Sequence, residues 1–294
     1  MDGVRWQESD APMADLSLAW YAAGSGPTVL FLNGGPGDDH RYLRPVAAPL
    51  VDEFRCVLYD QRGCGQSRLA RLDEATLQVE RFVDDIDALR QRLGQQRLRL
   101  VGHSWGATLA LVYAVAHPDR VERLALVAMG PIDEEMDAVA TANLLKPLSA
   151  MERDARARLW ADLRRAVDAD DHAQIRAIRA QEAPLGMRAW FATPEALQRF
   201  LAAYLAEDPP NWRVNRLTSA SYRRLRPELR YERVTAPVLI VYGYQDFEPI
   251  TQAYTLRARM PQAQLCFLNG CGHLPWIEQP EPFYRALRAF LHGE

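Results

Sequence analysis

Four short, uninterrupted apolar runs alternate with helical patterns in the first 130 residues. The runs occupy residues 27–33, 55–60, 97–103 and 123–129. Continuous apolar strands bounded by turn residues are typical of parallel sheets that are covered on both faces. Between the runs lie residues 79–94 and 105–118. Their apolar side chains recur about every 3.6 residues, and each segment ends at Gly or Pro. This order predicts a βαβαβ unit, and therefore an α/β fold.

The same pattern returns near the end of the chain. Residues 236–246 and 263–273 each predict a strand that runs into a Gly-containing loop, and residues 280–293 predict a closing helix. Residues 131–233 lack a strand pattern and are rich in Ala, Arg and Asp at helical spacing. The predicted organisation is a core of residues 1–130 and 234–294, interrupted by an inserted helical unit of residues 131–233.

Composition narrows the class of protein. Hydrophobic residues make up 48% of the 294 residues and charged residues 25%, with a formal net charge of −3. These values favour a large buried core and give no sign of a nucleic-acid partner. The first residues lack the pattern of a secretory signal, and no apolar run approaches the roughly 20 residues that a membrane helix needs. We therefore expect a cytoplasmic protein without a membrane partner, whose oligomeric state the sequence leaves open.

Residues 102–106, with the sequence GHSWG, fit the pattern G-x-S-x-G. The pattern lies between a predicted strand and a predicted helix, which is the setting of a nucleophile elbow. There a sharp turn exposes the serine hydroxyl, and the helix N-terminus behind it favours developing negative charge. Ser104 is the candidate nucleophile. His103 is expected to pack beside the site.

A nucleophilic serine needs a base, and the base needs an acid that orients it. In this fold type the acid and then the histidine follow the serine along the chain. Asp246 and His273 follow the predicted strands at 236–246 and 263–273, so they are the candidate acid and base. Glu248 is a second carboxylate beside Asp246, interpreted as a solvated charge or a supporting group.

An acyl-transfer enzyme also needs backbone N–H donors that face the tetrahedral oxyanion. The residue after the nucleophile, Trp105, is one candidate. Residues 33–40, with the sequence NGGPGDDH, form the loop after the strand at 27–33, and Gly35 is chosen as the second donor.

The serine mechanism is complete without a metal or an organic cofactor. The four cysteines lack zinc-ligand spacing and are interpreted as reduced packing residues, with a nucleophilic role for Cys64 or Cys271 as a minor alternative.

Several of these stretches together resemble the α/β-hydrolase superfamily, and within it the proline iminopeptidase (prolyl aminopeptidase) group of serine peptidases. They are NGGPG (33–37), YDQRGCGQS (59–67), GHSWGATLALVYAVAHPDRV (102–121), GYQDFEPI (243–250) and GCGHLPWIEQPEPFYRAL (270–287). The resemblance implies an eight-stranded, mostly parallel sheet with residues 131–233 as a helical cap. It also implies Ser104, Asp246 and His273 as the triad, with Gly35 and Trp105 as the oxyanion amides.

The chain departs from that group at two positions. Asn33 stands where the group usually has a histidine, and His103 stands where it usually has a glycine. In the group, cap glutamates bind the free amino terminus of the substrate. Glu207 and Asp208 are the candidates here, and Trp190 is a candidate for an apolar pocket wall.

The leading functional prediction is an aminopeptidase that releases an N-terminal residue, such as proline, from short peptides through an acyl-enzyme. The alternative keeps the triad and changes the small-molecule substrate, as in an esterase, lactonase, amidase or carbon–carbon bond hydrolase. A third hypothesis is a ligand receptor built on the hydrolase fold.

Overall fold

A computed structural model describes residues 3–294. Its centre is one eight-stranded sheet with the strand order β1-β2-β4-β3-β5-β6-β7-β8. The strands are β1 (Gln7–Pro12), β2 (Ser17–Ala23), β3 (Thr28–Leu32), β4 (Arg55–Tyr59), β5 (Leu98–His103), β6 (Val121–Val127), β7 (Val238–Gly243) and β8 (Ala263–Leu268). β1 and β2 pair antiparallel, and β3 to β8 pair parallel. The mostly parallel, eight-stranded sheet is therefore confirmed.

Eleven α-helices are assigned within residues 3–294, with short 3-10 helices between some of them. They are α1 (Arg44–Ala47), α2 (Val79–Arg92), α3 (Trp105–Ala116), α4 (Glu134–Leu145), α5 (Ala150–Asp168), α6 (His172–Gly186), α7 (Pro194–Ala206), α8 (Trp212–Leu225), α9 (Thr251–Arg259), α10 (Pro275–Glu278) and α11 (Pro280–His292). Helices α4 to α8 fall within the segment that was predicted to be an inserted helical unit.

The sheet is buried on both faces because successive side chains of a strand point to opposite sides. On β3, Leu30 and Leu32 join the apolar cluster that contains side chains of α2, α3 and α9. Val29 and Phe31 join a second cluster that contains side chains of α1 and α11. This two-sided burial explains why the strands read as continuous apolar runs in the sequence.

Parallel strands bring their carboxyl ends to one edge of the sheet, and the loops that matter here leave from that edge. The loop of residues 33–39 follows β3, and Ser104 follows β5. Asp246 lies three residues after the end of β7, and His273 lies five residues after the end of β8. The fold therefore gathers the four predicted catalytic segments at one edge. Among the helices of residues 3–294, none is long and apolar enough to span a lipid bilayer.

Candidate active site

Ser104 sits at a sharp turn between β5 and α3. Its backbone has φ 55° and ψ −121°, a conformation that side-chain-bearing residues rarely adopt. The N–H of Ser104 donates to the carbonyl of Val127 at 2.9 Å, which ties the turn to the end of β6. This strained backbone matches the elbow that the sequence pattern predicts.

The two glycines of the pattern are required by close backbone approach. A Cβ atom on Gly102 would lie 2.3 Å from the carbonyl oxygen of Gly106, and one on Gly106 would lie 2.0 Å from the carbonyl oxygen of Leu32. Both distances are far below van der Waals contact, so any larger residue would push α3 away from the sheet. The glycines thereby allow α3 to begin directly behind Ser104.

The structure brings Asp246 and His273 into direct contact. Nδ1 of His273 lies 2.9 Å from Oδ1 of Asp246, and both side chains are buried. A carboxylate accepts a hydrogen bond, so Nδ1 carries the proton and Nε2 is left with a free lone pair. Nε2 of His273 has no partner among residues 3–294, and neither has Oδ2 of Asp246. The geometry is that of a base oriented by an acid.

Aromatic rings surround His273 on several sides. The ring centroids of Phe247, His103 and Trp190 lie 4.6, 4.7 and 5.0 Å from that of His273. Trp190 belongs to the segment between α6 and α7, and its carbonyl accepts the backbone N–H of His273 at 2.7 Å. The structure thus places Trp190 at the site, where it packs on the histidine and holds its loop.

Gly34 and Gly35 both lie in the loop after β3, and Gly34 packs against Ser104. A Cβ atom on Gly34 would lie 3.2 Å from Cβ of Ser104. On Gly35, which has φ 112°, a Cβ would instead meet the backbone nitrogens of Gly37 and Asp38 at 2.7 and 2.8 Å. Gly35 therefore forms the tight turn of this loop. The N–H of Gly34 is accepted by the hydroxyl of Tyr42, so Gly35 stays the predicted oxyanion donor.

Asn33, one of the two departures from the family pattern, fixes the loop after β3. Its side-chain amide donates to the carbonyl of Asp38 at 2.7 Å. Gln61 Nε2 donates to the carbonyl of Asn33 at 2.7 Å, and Gln61 Oε1 accepts from Nε1 of Trp105 at 2.9 Å. Because these bonds join residues 33, 61 and 105, the loop and the start of α3 are held in one arrangement.

His103, the other departure, joins the loop after β3 to the loop of His273. Nε2 of His103 lies 2.9 Å from the carbonyl oxygen of His273, so this nitrogen must carry a proton. Burial holds the pKa of His103 well below its usual range, so the ring is neutral and Nδ1 is an acceptor. The hydroxyl of Tyr42 donates to Nδ1 at 3.2 Å and accepts the backbone N–H of Gly34. Sequence reasoning missed Tyr42, since no local pattern marks it.

The stretch at residues 59–67 has a structural role beneath the site. Asp60 accepts from the backbone N–H of His40 and of Gln66 at 3.1 and 2.9 Å, and its Oδ1 lies 2.7 Å from Nδ1 of His40. Arg62 is 2% exposed and forms two hydrogen bonds with the buried carboxylate of Asp85, at 2.7 and 2.6 Å. These buried charges are fully paired, as they must be in an apolar interior.

One group of residues within 3–294 has the spacing of a metal site. Ligand atoms of Asp39, His40 and Asp60 all lie within 4.8 Å of one another. The oxygens of Asp60 accept backbone N–H groups and Nδ1 of His40 faces Asp60. Hydrogen bonds within the protein therefore explain this group.

The two predicted cap carboxylates are both paired with arginines. Glu207 lies 2.5 Å from Arg41, and Asp208 lies 3.3 Å from Arg176 and 3.9 Å from Arg41. Their side chains are 50% and 67% exposed. The structure therefore places Glu207 and Asp208 in a partly exposed charge network with Arg41 and Arg176.

Two other carboxyl groups lack partners. Glu248 is 6% exposed, and its Oε2 has no hydrogen-bond partner among residues 3–294. Burial and the nearby Asp246 hold the pKa of Glu248 well above its usual range. The interpretation of Glu248 as a solvated charge is therefore wrong. The second group is Asp38, whose side chain forms no hydrogen bond or ion pair with the residues that the structure describes.

The cysteines are free, and burial is the first cause of a raised thiol pKa at each of them. Cys64 and Cys271 are buried, and their thiols have pKa values above the ordinary range. A raised pKa disfavours the thiolate that a cysteine nucleophile requires. Packing is the role that fits them.

Comparisons with known proteins identify the fold family. A model of the alpha/beta hydrolase fold family matches residues 27–280. The proline iminopeptidase of Lactobacillus helveticus (strain DPC 4571) is 25% identical over 272 residues, covering 90% of each chain. The proline iminopeptidase of Heyndrickxia coagulans is 26% identical over 278 residues, covering 92% of each. The crystal structure of a proline iminopeptidase-related protein from Thermus thermophilus aligns with a TM-score of 0.71 and 25% identity, covering 98% of each chain.

The family model spans most of the sequence. The sheet order, the elbow and the relatives are consistent with the same fold. The chain belongs to the alpha/beta hydrolase fold family.

Proposed function

We propose that this hydrolase is a serine enzyme in which Ser104 is the nucleophile, His273 the base and Asp246 the acid. The observation that best supports the proposal is the hydrogen bonding of the His273 ring. Its Nδ1 is bonded to Asp246, and its buried Nε2 has no other partner among residues 3–294. That nitrogen is available to take the proton of Ser104 as the hydroxyl attacks a carbonyl carbon.

The reaction then follows the two-step course of acyl transfer. Attack by Ser104 gives a tetrahedral oxyanion, and His273 returns the proton to the leaving group as the acyl-enzyme forms. Water, activated by the same histidine, hydrolyses the ester in the second step. The proposed oxyanion donors are the N–H groups of Trp105, at the start of α3, and of Gly35 in the loop after β3, since the N–H of Gly34 is already bonded to the hydroxyl of Tyr42.

The proposed substrates are short peptides or arylamides with a free amino terminus, and the proposed activity is that of an aminopeptidase. Relatives named proline iminopeptidase that align over nine-tenths of the chain support this assignment. The helices of the predicted cap support it as well, since a covered site admits small substrates and limits the access of water.

The test is a comparison of hydrolysis rates with three substrates. One is a prolyl arylamide with a free amine, the second is the same arylamide with its amine acetylated, and the third is a short-chain aryl ester. The proposal expects turnover of the free amine and little turnover of the acetylated compound. Hydrolysis of the ester alone, blind to the amine, would instead assign the protein to the esterase-like group.

The esterase, lactonase, amidase or carbon–carbon hydrolase alternative has one observation in its favour. Glu207 and Asp208, the carboxylates predicted to hold an amine, are already paired with Arg41 and Arg176. If no other carboxylate served the substrate, the site would have no partner for an ammonium group. The receptor hypothesis is tested by the same assay, since a receptor would hydrolyse none of the three compounds.

A further inference from the structure

Asp38 lies in the loop after β3, close to the proposed oxyanion donor Gly35. Its backbone carbonyl is held by the side chain of Asn33 at 2.7 Å. Its carboxylate folds back over Gly35, since a Cβ on that glycine would lie 3.4 Å from Oδ2 of Asp38. Gly34, the next residue toward β3, packs against Ser104. The carboxylate is therefore attached to the loop that is proposed to hold the reacting carbonyl oxygen.

The surrounding acids are neutralised, whereas Asp38 is not. Asp39, its neighbour in sequence, accepts hydrogen bonds from the guanidinium of Arg41 at 2.9 and 2.6 Å. Glu207 shares the same arginine. Within residues 3–294, the carboxylate of Asp38 has no hydrogen-bond donor and no cation at ion-pair distance. A carboxylate held so close to a catalytic loop without a partner has an unused capacity to bind a cation.

Groups from the core and from the predicted cap surround this carboxylate. Those that interact with it electrostatically are Asp39, Tyr42 and Cys64 of the core and Arg179 and Tyr204 of α6 and α7. Arg179 directs its guanidinium at the carbonyls of Glu207 and Tyr204 rather than at Asp38. The Asp38 side chain nevertheless keeps intermediate solvent accessibility, so a small cation can reach it from solvent.

We propose that Asp38 binds the ammonium group of the substrate, in place of the cap carboxylates Glu207 and Asp208. This inference rests on the proposed aminopeptidase function and names the residue that gives it specificity. A carboxylate and an ammonium form a strong, charge-assisted hydrogen bond, particularly in a site that excludes water. The amine would then be held beside the loop of Gly34, where an N-terminal residue must lie for its own carbonyl to reach Ser104.

The electrostatics of the site set the pH range of this binding. Burial, with a smaller contribution from Asp39 and against that of Arg179, raises the pKa of Asp38 to about 7. The ionised carboxylate is the form that pairs with an ammonium. Affinity for the cation is therefore expected to rise as the pH increases through about 7.

The test measures binding directly, so it does not depend on any activity. L-prolinamide is titrated calorimetrically into the Ser104→Ala variant at pH 8, where the ligand is not consumed. The same titration uses Ser104→Ala combined with Asp38→Asn, and Ser104→Ala combined with Asp208→Asn as a matched loss of one charge. N-acetyl-L-prolinamide, which has no cation, is the second ligand.

The proposal expects Asp38→Asn to weaken prolinamide binding by about ten- to a hundredfold, the range of a lost charge-assisted bond. Binding of the acetylated ligand should stay unchanged, and Asp208→Asn should change neither. Equal affinity for prolinamide with and without Asp38 would overturn the proposal. So would the absence of prolinamide binding to Ser104→Ala, or its loss on Glu248→Gln while Asp38→Asn has no effect.

Failure of this inference is distinguishable from failure of the proposed function. If the wild-type protein cleaves the free-amine arylamide and Asp38→Asn binds prolinamide normally, the aminopeptidase stands and the amine subsite lies elsewhere. If the wild type cleaves no arylamide yet binds prolinamide through Asp38, the subsite stands and the aminopeptidase assignment fails.

Discussion

Ser104 holds a backbone conformation that costs stability and gives access to its hydroxyl. A φ of 55° with ψ −121° is unfavourable for a residue with a Cβ, by on the order of 1–3 kcal/mol. The surrounding packing enforces it, because Gly102 and Gly106 let β5, β3 and α3 approach too closely for any other turn. A strained serine at the edge of a parallel sheet is what a nucleophile requires and what core packing does not.

Two substitutions of Ser104 distinguish the effect of losing the hydroxyl from the effect of relieving the backbone strain. Ser104→Ala keeps the strained backbone and loses the hydroxyl, so it should fold normally and lose several orders of magnitude in kcat. Ser104→Gly should be as inactive but more stable, by about 1 kcal/mol, because glycine adopts this conformation freely. Arylester or arylamide turnover and thermal unfolding of both variants check this. Near-wild-type kcat in Ser104→Ala would show that another group attacks the substrate.

Asp38 links the proposed substrate site to stability. Its pKa of about 7 in the folded protein exceeds the 3.8 of an unperturbed aspartate. The folded state therefore holds a proton that the unfolded state has released between these pH values, and the carboxylate destabilises the fold increasingly as the pH rises from about 4 to about 7. The effect then levels off. The free energy of unfolding is lowered because the folded protein holds an ionised carboxylate that has no cation beside it among residues 3–294.

Asp38→Asn should consequently raise the melting temperature relative to wild type, and raise it more at pH 8 than at pH 5. Thermal unfolding of both proteins across this range is the measurement, with Asp208→Asn as the exposed control. A difference that does not depend on pH would mean that Asp38 is not titrating in this window.

At the scale of secondary-structure elements, the loops after β3, β5 and β8 are joined by one chain of hydrogen bonds. It runs from the N–H of Gly34 through the hydroxyl of Tyr42 to Nδ1 of His103, and from Nε2 of His103 to the carbonyl of His273. The chain connects the loop of the proposed oxyanion amide, Gly35, with the backbone of the proposed base. His103 thus gives this protein a connection that a glycine at the same position could not make.

A double-mutant cycle tests that connection. Tyr42→Phe leaves the Nδ1 acceptor of a buried imidazole without a donor, and should cost about 1–2 kcal/mol of unfolding free energy. Once His103→Gly has removed the imidazole, the same tyrosine change should cost clearly less, since residues in one network are not additive. Denaturant unfolding of the four proteins gives the coupling. Additive effects would show that the two side chains act independently.

The strands and helices of the core could be predicted because their burial is two-sided and their periodicity is strong. The runs at 27–33 and 55–60 became β3 and β4 with shifts of one residue at their ends. Residues 263–273 contain β8 and the Gly-containing loop that follows it, with the strand ending at Leu268. β1 and β2 were not predicted. β1 is an edge strand whose side chains are mostly polar and exposed, whereas β2 is buried from Leu18 to Ala23 and its apolar run was overlooked.

Local sequence was less informative about the site. The elbow and the order of acid and base could be inferred from spacing alone, and the proposed roles rest on them. The role of Tyr42 depends on its contact with His103, which is distant in sequence, and the unpaired state of Asp38 is visible only in the folded protein. Glu207 and Asp208 were predicted to bind an amine, but in the structure they are paired with arginines. No local sequence pattern indicates those arginine partners.

Across the whole molecule, the helices of the predicted cap are bonded to the loops of the site. The N–H of Asn211 donates to the carbonyl of Gly37 and the side chain of Asn215 to that of Pro36, both at 2.8 Å. On the other side, the carboxylate of Glu278 accepts from the N–H groups of Gly272 and Ala192 at 2.7 and 2.8 Å. Helix α8 is therefore fixed to the loop after β3, and the segment before α7 to the loop of His273. The loops of the site are therefore positioned by both parts of the fold.

The proposed triad can be tested by covalent labelling with a serine-directed fluorophosphonate, followed by peptide mapping of the modified residue. We expect one stoichiometric adduct on Ser104, no adduct in Ser104→Ala, and labelling slowed by orders of magnitude in His273→Ala, because the base is lost. A protein that does not label, or that labels at another serine with Ser104 unmodified, would contradict the assignment of Ser104, His273 and Asp246 as the catalytic residues.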